Sequence, residues 1–584
     1  MGDSGVHLVG LGGDLGSEGK VGLGPWVDAD EILLTDPVFT RRQAHNASQS
    51  LKEIGEELLP RLSAALNDIH NVSRSVRYWS IILDLSVHRL LSMTCERFRL
   101  VKEAVSQERD DIRFATLSED CFYPPVSFDN IVALAGENDR FNWQLFSQCI
   151  HGEGIPHFEK TYSLKEGGRL TIENTEREGI WRVIDHRNRG LRSSIAYSGL
   201  RISSRRSKLK FLAYTRGKAW QVRDFPVRVQ GNGFYEKPDV DKRDRIKQIQ
   251  VNSTGELLPL GLGEVFKYNL PAIFVEQFEQ LLRQIRELID RNGVPDLIFT
   301  GPRAHGVPFR TWVAECVRRG AQLFGVQHGS GYGDVPEDPR EANERRTADR
   351  FLTWGWRRRE KDHPMPVPRF SDARSEGTQE RRKGGLLWVT QGDMTYRHHK
   401  YPLWLRWYQL GGSGGFESDH SHRSDCFQSL EKRIRTETTV RFKGENPDVK
   451  ERVQQIFEGG AISSKGTLLE QARGARLVVV DHYPATSLYE LIHVNIPVVL
   501  IDNIPEWYLD GAATDVLWDL EECGILHRSA ESAASLINAV YPRVETWWNE
   551  PERQATVHRA RCQLARRAKS PMREYASFAN KHVD

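Results

Sequence analysis

Two long stretches near the amino terminus carry apolar residues at helical spacing. In Leu51–Ile69 they recur every three or four positions, and a second such stretch runs from about Val76 to Val105, with Ser73 or Ser75 able to cap its start. This spacing places the apolar side chains on one face of a helix. We therefore predict a long antiparallel helix pair, followed by a further helix over Phe128–Ile150.

Strand and helix patterns alternate from Pro271 onward. An amphipathic helix predicted over Ile273–Ile289 ends at Gly293 and Pro295, and short apolar runs follow it. In chain order these predict a strand over Pro295–Thr300, a helix over Phe309–Arg319, a strand over Leu323–Val326 and a short strand or turn over Phe351–Trp356. A strand, a helix and a strand within about 30 residues predict a right-handed crossover and a parallel sheet.

A second alternating pattern follows residues 362–383, which are rich in Pro, Arg, Glu and Ser and lack periodicity, as linkers do. The predicted strands are Leu386–Val389, Val440–Phe442, Leu477–Val480 and Pro497–Ile501. The predicted helices are Ser487–Ile492, Ala530–Val540 and Val544–Lys569, and Gly411–Asp425 is predicted to be a mobile loop.

These patterns predict an α/β protein with two Rossmann-like domains, a long helical elaboration of the first and a helix at the carboxyl end. We place the first domain at residues 1–361, the linker at 362–383, the second domain at 384–545 and the final helix at 546–584. The 584 residues are enough for two large domains, each with its own core.

Charge and composition exclude several classes of protein. Lys plus Arg number 81 against 79 Asp plus Glu, so the net charge of +2 disfavours bulk nucleic-acid binding. Basic runs between residues 186 and 223 are interpreted as a solvated face or, alternatively, as an electropositive wall beside an anionic ligand.

No apolar run approaches the roughly 18 residues of a membrane span, and no signal-peptide pattern is present. The seven cysteines are scattered without a CxxC pair, which fits buried thiols in a reducing compartment. We expect a cytoplasmic protein, with peripheral association at the cytoplasmic face of a membrane left open.

The first candidate site follows the Leu323–Val326 strand, which stops at Gln327 and His328 and runs into the glycine-rich turn that begins at Gly329. Glycines let a ligand approach bare backbone amides, and ligands of α/β sheets bind at such strand ends. The segment therefore predicts a loop facing a crevice. The alternative is a tight turn in which the Gln and His side chains satisfy neighbouring backbone groups.

The second candidate site lies in the segment LVVVDHYPATSLYELI. Asp481 and His482 end a buried strand, and Thr486 and Ser487 open a helix whose first amides can bind a phosphate. Glu490 either closes a capping box with Ser487 or accepts hydrogen bonds from ribose hydroxyls.

Two cations follow a strand of the same predicted sheet. Arg441 and Lys443 come at the end of the Val440–Phe442 strand and are suited to binding phosphate or carboxylate groups. Polar loops at the strand ends of both sheets predict a ligand between the two domains.

Several ordered motifs together resemble a bacterial family of transferases encoded with surface-polysaccharide genes and related to the retaining Kdo transferases of the GT-B glycosyltransferase class. The resemblance covers most of the chain. It rests on GPW (24–26), ALNDIH (65–70), SVRYW (75–79), NDRFNWQLF (138–146), VQHGSGYG (326–333), DRFLTWGW (349–356), the segment DHYPATSLYELIHVNIPVVLI (481–501), and GILHRSAESAASLIN running into the WW pair (524–548).

The resemblance implies transfer of Kdo or a similar ulosonate from a CMP-activated donor to a surface-glycan acceptor, lipid-linked or free. By analogy, His328 and Gln327 would line the catalytic crevice. The donor would be bound by Gly329, Arg441, Lys443, Asp481, His482, Thr486, Ser487 and Glu490. We expect no cofactor and no obligate metal, because CMP leaves as a monoester whose charge amides and cations can balance. Asp419, His420 and His422 are interpreted as solvent-exposed rather than as metal ligands.

One loop departs from the family pattern. Related sequences carry acidic residues after the Pro295–Thr300 strand, whereas this chain reads GPRAHGVPF with Arg303 and His305. A retaining mechanism with a covalent intermediate needs a carboxylate nucleophile. The candidates are Asp296, Glu315, Asp334 and Asp393, of which Glu315 and Asp334 are assigned to the catalytic set. The departure favours a degenerate member that binds nucleotide or glycan without turnover, and a nucleotide-sugar epimerase or hydrolase of the same fold is the other alternative.

Overall fold

The structure is a computed structural model, and it describes most of the chain. The described residues are 41–106, 114–127, 134, 138–161, 171–174, 194–202, 204–222, 225–230, 233–249, 251, 256–301, 306–333, 339–373, 384–390, 416–442, 447–463, 465–502 and 514–583.

Helices and short strands alternate along most of this length. The strands are β1 Phe114–Leu117, β2 His157–Lys160, β3 Thr171–Asn174, β4 Ile195–Tyr197, β5 Ala219–Gln221, β6 Val227–Gln230, β7 Leu297–Thr300, β8 Gln322–Val326, β9 Arg350–Thr353, β10 Asp362–Pro364, β11 Leu386–Val389, β12 Thr439–Arg441, β13 Ala461–Ile462, β14 Leu477–Val480, β15 Val498–Ile501 and β16 Leu526–His527.

The helices surround these strands. They are α1 Arg41–Ile69, α2 Val76–Ser106, α3 Asp139–Gly152, α4 Arg205–Tyr214, α5 Val240–Lys247, α6 Leu262–Asn269, α7 Ala272–Val275, α8 Phe278–Asn292, α9 Val307–Arg318, α10 Pro339–Thr347, α11 Phe416–Gln428, α12 Lys432–Thr436, α13 Pro447–Ile456, α14 Leu468–Gly474, α15 Thr486–Val494, α16 Thr514–Glu522, α17 Ala530–Val540, α18 Val544–Trp548, α19 Pro551–Leu564 and α20 Pro571–Asn580. Among the described helices, none has the length and apolarity that a bilayer span requires.

The first sheet has six parallel strands in the order β10-β9-β8-β7-β4-β5. Its central strands are short apolar runs with buried side chains, as expected where helices cover both faces of a parallel sheet. Helix α9 connects β7 to β8, which confirms the predicted strand-helix-strand unit. The carboxyl ends of β4, β7 and β8 consequently meet at one edge.

The second sheet also has six parallel strands, in the order β13-β12-β11-β14-β15-β16. Strands β11 and β14 have the predicted bounds, and every residue in both is buried. Two separate parallel sheets covered by helices confirm the predicted α/β class with two Rossmann-like units.

Helices α1 and α2 form the predicted pair. Leu58, Leu62 and Leu66 of α1 are buried in the main core, as the spacing predicted. Asn67 fixes the connection, because its Oδ1 accepts hydrogen bonds from the backbone N–H of Arg74 at 3.0 Å and from Trp79 Nε1 at 2.9 Å. The Ser75 hydroxyl accepts the Tyr78 N–H at 3.2 Å and so caps α2.

A buried carboxylate joins this pair to the first sheet. Asp84 of α2 is fully buried and contacts His88, Asn343 and Arg346, the last two on α10. Burial alone would raise the pKa of Asp84, but the charges and hydrogen bonds of His88 and Arg346 lower it. Helix α10 follows the glycine-rich turn, so α2 helps to fix that turn.

The end of the chain returns to the first sheet. The Phe578 ring of α20 lies 5.4 Å from the Phe324 ring of β8, and the Tyr575 hydroxyl donates to the Pro366 carbonyl at 3.0 Å. The single helix predicted over Val544–Lys569 is wrong, because α18 ends at Trp548 and Pro551 begins a separate helix, α19, which ends at Leu564.

Two further helix predictions need correction. The helix predicted over Phe128–Ile150 is helical at Leu134 but is interrupted at Asn138, whose backbone is extended and whose side chain accepts the Phe141 N–H and caps α3. The helix predicted over Ile273–Ile289 is divided into α7 and α8. Glu276 lies at the break, where its carboxylate binds Arg243 of α5 at 2.7 Å, a contact between elements that no local pattern contains.

The linker and the mobile loop were also misassigned in part. Residues 362–364 form β10, the edge strand that pairs in parallel with β9, so the first sheet extends beyond the predicted boundary. Residues 416–425 of the predicted loop belong to α11, in which Phe427 packs on Trp388 at 5.9 Å and on Phe457 at 5.2 Å. Tertiary packing stabilises this helix despite its polar sequence.

Candidate functional site between the two sheets

Gln327 fixes the turn that follows β8. Its side-chain amide donates to the Gly329 carbonyl at 2.9 Å, and its Oε1 accepts hydrogen bonds from the backbone N–H of Trp354 at 2.7 Å and from Trp356 Nε1 at 3.0 Å. The side chain is 1% exposed. These contacts correct the prediction that Gln327 lines the crevice and agree with the alternative, a turn whose glutamine satisfies backbone groups.

The glycine-rich turn needs its glycines. Gly331 and Gly333 have φ values of 89° and 77°, which disfavour other residues. A side chain on Gly333 would also collide with the Trp356 ring. The Glu341 carboxylate accepts the Gly333 N–H at 2.6 Å, so the first helical turn of α10 holds the end of the loop.

His328 lies over the carboxyl edge of the first sheet. Its Nδ1 is 2.9 Å from the Tyr332 hydroxyl, which donates to Glu344 Oε1 at 3.2 Å. A methyl group added to Gly301, just after β7, would lie 3.6 Å from the same nitrogen. The imidazole is 8% exposed and is therefore held in one orientation beside bare backbone.

Asp481 holds the corresponding edge of the second sheet. Its carboxylate accepts a hydrogen bond from Trp388 Nε1 at 2.9 Å and lies 3.2 Å from both Arg423 Nε and His482 Nδ1. Burial would raise the pKa of Asp481, but Arg423, His482 and Trp388 together lower it to about 2. Both oxygens are engaged by the protein, so Asp481 positions His482 rather than offering a free carboxylate to a donor.

Helix α15 begins at the crevice. Its N-cap residue is Ala485, which has no side-chain acceptor for the first-turn amides, and Thr486 and Ser487 are the first two helical residues. The capping box predicted for Ser487 and Glu490 is therefore wrong, because Glu490 lies five residues beyond the N-cap. A helix start without a side-chain cap leaves amides and partial positive charge for an anion.

The two candidate segments touch each other. Thr486 Oγ1 accepts the backbone N–H of Ser330 at 3.2 Å, and the two hydroxyl oxygens are 3.3 Å apart. A side chain on Gly329 would reach within 3.6 Å of the same Thr486 oxygen. The structure thus brings the loop after β8 and the start of α15 face to face, as expected for a ligand between the two domains.

Two arginines act on Glu490, and a third, Arg201, acts on one of them. Arg441, at the end of β12, donates to Gln471 Oε1 at 2.7 Å and to the Gly466 carbonyl at 3.0 Å. Burial raises the pKa of Glu490, and the charges of Arg369 and Arg441 oppose that rise. Partial desolvation and the charge of Arg369 lower the pKa of Arg201, so the two guanidinium groups repel each other.

Arg201 and Arg369 were missed as site residues. Arg369 lies in the 3-10 turn Pro368–Phe370, which joins the two halves, since the Phe370 ring packs against the His493 ring of α15 with their centres 5.1 Å apart. Asp372, just beyond, accepts from Ser207 of α4 at 2.8 Å. Within the described residues neither guanidinium has a hydrogen bond or ion pair. The basic run around Arg201 could have indicated an anion site, whereas Arg369 lies in the predicted linker, where no sequence pattern indicates a site.

Two of the carboxylates proposed as the nucleophile lie away from the crevice. Glu315 of α9 is fully buried in ion pairs with Arg74 at 3.2 Å and Arg318 at 3.0 Å. Asp296 is exposed at the amino end of β7, opposite the crevice. Glu315 is therefore removed from the catalytic set. Asp334, Lys443, Arg303, His305 and Asp393 lie outside the described residues.

Comparison with known families decides the identity of the chain. The model of the LIC12162 family transferase matches residues 24–578, which is nearly the whole sequence. The chain belongs to the LIC12162 family of transferases. A comparison with curated protein sequences finds no significant match.

Solved structures resemble this LIC12162 family transferase only distantly. An O-GlcNAc transferase mutant of Thermobaculum terrenum has 9% identity and a TM-score of 0.34, covering 92% of this chain and 97% of that one. The spinosyn rhamnosyltransferase SpnG has 9% identity and a TM-score of 0.33, covering 66% and 100%. A UDP-GlcNAc 2-epimerase from Neisseria meningitidis has 8% identity and a TM-score of 0.31, covering 53% and 80%. These similarities are too distant to assign a donor or a reaction.

Replacing Asp481 tests its role as an anchor. Asp481→Asn should lower the free energy of unfolding at pH 7 by about 2 kcal/mol, because one pKa unit corresponds to about 1.4 kcal/mol. The folded-state pKa is depressed, so this stabilisation is complete above about pH 4 and is lost as the pH falls toward about 2.

Urea unfolding at pH 7 and at steps down to pH 3 measures this difference. Asp425→Asn, which changes an exposed carboxylate on the same helix as Arg423, is the control and should have little effect. An Asp481→Asn protein as stable as the wild type at pH 7 would show that the ion pairs do not anchor this edge.

Proposed function

We propose that this chain is a glycosyltransferase that moves an acidic sugar, Kdo or a similar ulosonate, from a CMP-activated donor to a surface-glycan acceptor. The observation that carries the proposal is the contact between Ser330 and Thr486, which places a strand-end loop of one sheet against a helix start of the other. A donor bound there would touch both halves of the protein.

The charges of the crevice suit a donor with two anionic groups. A CMP-linked ulosonate carries a phosphate and a carboxylate. The uncapped first turn of α15, Thr486 and Ser487, would bind the phosphate together with Arg441. The mutually repelling pair Arg201 and Arg369 would be stabilised by a second anion, the carboxylate of the sugar.

Glu490 would bind the ribose of the donor. It lies on α15 among cations, and its burial raises its pKa. Sugar hydroxyls that donate hydrogen bonds to this carboxylate would replace the water that it loses on burial. His482, positioned by Asp481, would contact the nucleotide from the same edge. Lys443 and Gly329 keep their predicted donor-binding roles.

His328 would act as the base for the acceptor hydroxyl. Because the Tyr332 hydroxyl donates its hydrogen to Glu344, its oxygen accepts from His328 Nδ1, and Nε2 keeps a lone pair. The Glu344 charge behind Tyr332 would stabilise the imidazolium formed on proton transfer. His328 would thus be a general base whose ring is oriented by Tyr332, as in other sites where a second group orients the base. Asp334 keeps its role as the predicted nucleophile.

A second candidate function is binding of nucleotide or glycan without turnover. The observation in its favour is that Glu315 is buried in ion pairs and Asp296 lies away from the crevice. Neither carboxylate can then serve as the nucleophile, and without a nucleophile the protein would bind its ligand but not transfer the sugar.

CMP release from CMP-Kdo, measured with and without glycan acceptors, tests the donor and the reaction. We expect release that depends on the acceptor and needs no added metal. Release without acceptor would indicate a hydrolase, and CMP binding without release from any CMP-sugar would indicate the binding function. Turnover of UDP-sugars alone would contradict the proposed donor.

Replacing the imidazole tests its role. His328→Ala should lower the transfer rate by about 10² to 10⁴-fold, the usual contribution of a general base, while leaving CMP affinity nearly unchanged. His558→Ala, which removes an exposed imidazole from α19, is the control. Equal transfer rates in the His328→Ala protein and the wild type would remove this residue from the mechanism.

A further inference from the structure

Two imidazoles and a carboxylate come together far along the chain from the crevice residues. His151 lies in the last turn of α3, and His157 and Glu159 lie on β2. One ligand atom from each residue lies within 4.8 Å of the other two. His157 and Glu159 are two positions apart on a strand, so their side chains leave the same face.

The His157 ring is oriented as a ligand. Its Nδ1 lies 2.7 Å from the Ile155 carbonyl, and because a carbonyl can only accept, the hydrogen is on Nδ1. Nε2 therefore has its lone pair available. A backbone carbonyl bound to the second ring nitrogen is a frequent companion of histidines that ligate metals.

His151 has an unused buried nitrogen. Its Nε2 is shielded from solvent and has no hydrogen-bond partner in the described part of the chain. The two imidazole rings are 4.4 Å apart. A buried polar atom without a partner usually costs free energy, so this nitrogen is more stable with a ligand than without one.

The surrounding charge favours a cation. The carboxylates of Glu159, Glu119 and Glu264 all act on His151.

We propose that His151, His157 and Glu159 bind a divalent transition-metal ion, with zinc as the best fit. Two imidazoles and one carboxylate are ligands that zinc prefers, whereas magnesium and calcium prefer oxygen alone. Zinc needs nitrogen and oxygen ligands at about 2.0–2.2 Å, so the three atoms must move closer together. The His157 and Glu159 side chains are exposed and can rotate to do so.

The proposed metal would join the end of α3 to β2. It would close the short loop between these elements and stabilise the two-stranded β1–β2 sheet. None of the three ligands belongs to the crevice set, so this site is independent of the proposed glycosyl transfer and of the expectation that transfer needs no metal.

Zinc titration of the full-length, chelator-treated protein tests the proposal, with binding followed by calorimetry and with Co²⁺ as a spectroscopic probe. We expect one site with micromolar or tighter affinity. His157→Ala and Glu159→Gln should each weaken zinc binding at least about tenfold. Both positions are exposed, and circular dichroism checks that the variants are folded.

His558→Ala is the matched control. His558 Nδ1 lies 3.8 Å from Cys562 Sγ. These two side chains on α19 form an alternative pair of zinc ligands. Replacement of His558 should leave the affinity unchanged. Absence of zinc binding, or binding that is lost in the His558→Ala protein and kept in the His157→Ala protein, would overturn the proposal.

Discussion

The site depends on one contact between the two halves of the molecule, the hydrogen bonding of Ser330 to Thr486 at the start of α15. Parallel sheets place their strand ends at a single edge, but they do not decide how two such edges face each other. Helix α15 supplies that alignment. Tyr489 packs edge-on to Trp354 of the first half, and His493 Nδ1 lies 2.9 Å from the Ala565 carbonyl of the helices that return to the first sheet. One helix therefore has an amino end without a side-chain cap at the crevice and also holds the two halves together.

Each edge is fixed by a buried polar side chain that does not itself face a ligand. Gln327 uses all its hydrogen-bonding groups to hold the turn after β8, and Asp481 uses both oxygens to hold His482, Arg423 and Trp388. Buried networks of this kind are rigid when every member has a partner. They leave His328 on one side and the amides of α15 on the other in defined positions, which is what a transferase of two substrates requires.

Local patterns predicted inner strands of both sheets, such as β7, β8, β11 and β14, because short apolar runs have no other stable place than a buried sheet. They did not predict β1 to β6, β10, β13 and β16, and segments such as His157–Lys160 and Asp362–Pro364 contain no apolar run. The position of both candidate segments at strand ends was predictable from the apolar runs before them, whereas the contact of Ser330 with Thr486 depends on how the two sheets face each other. Side-chain roles were not predictable in the same way. Gln327 is fixed partly by Trp354 and Trp356, and Glu315 partly by Arg74, and these partners are distant in sequence and have no local signature. Arg369 was missed because a single 3-10 turn in an aperiodic segment has no periodicity to reveal it.

The central claim is that the sugar donor touches both sheets at once. Hydrogen exchange of the full chain, measured with and without CMP-Kdo, tests this most directly. We predict that the donor slows exchange both in the loop containing His328 and Ser330 and at the start of α15, from Thr486 to Leu488. Slowed exchange in only one of these segments, or in neither, would contradict a donor held between the two halves.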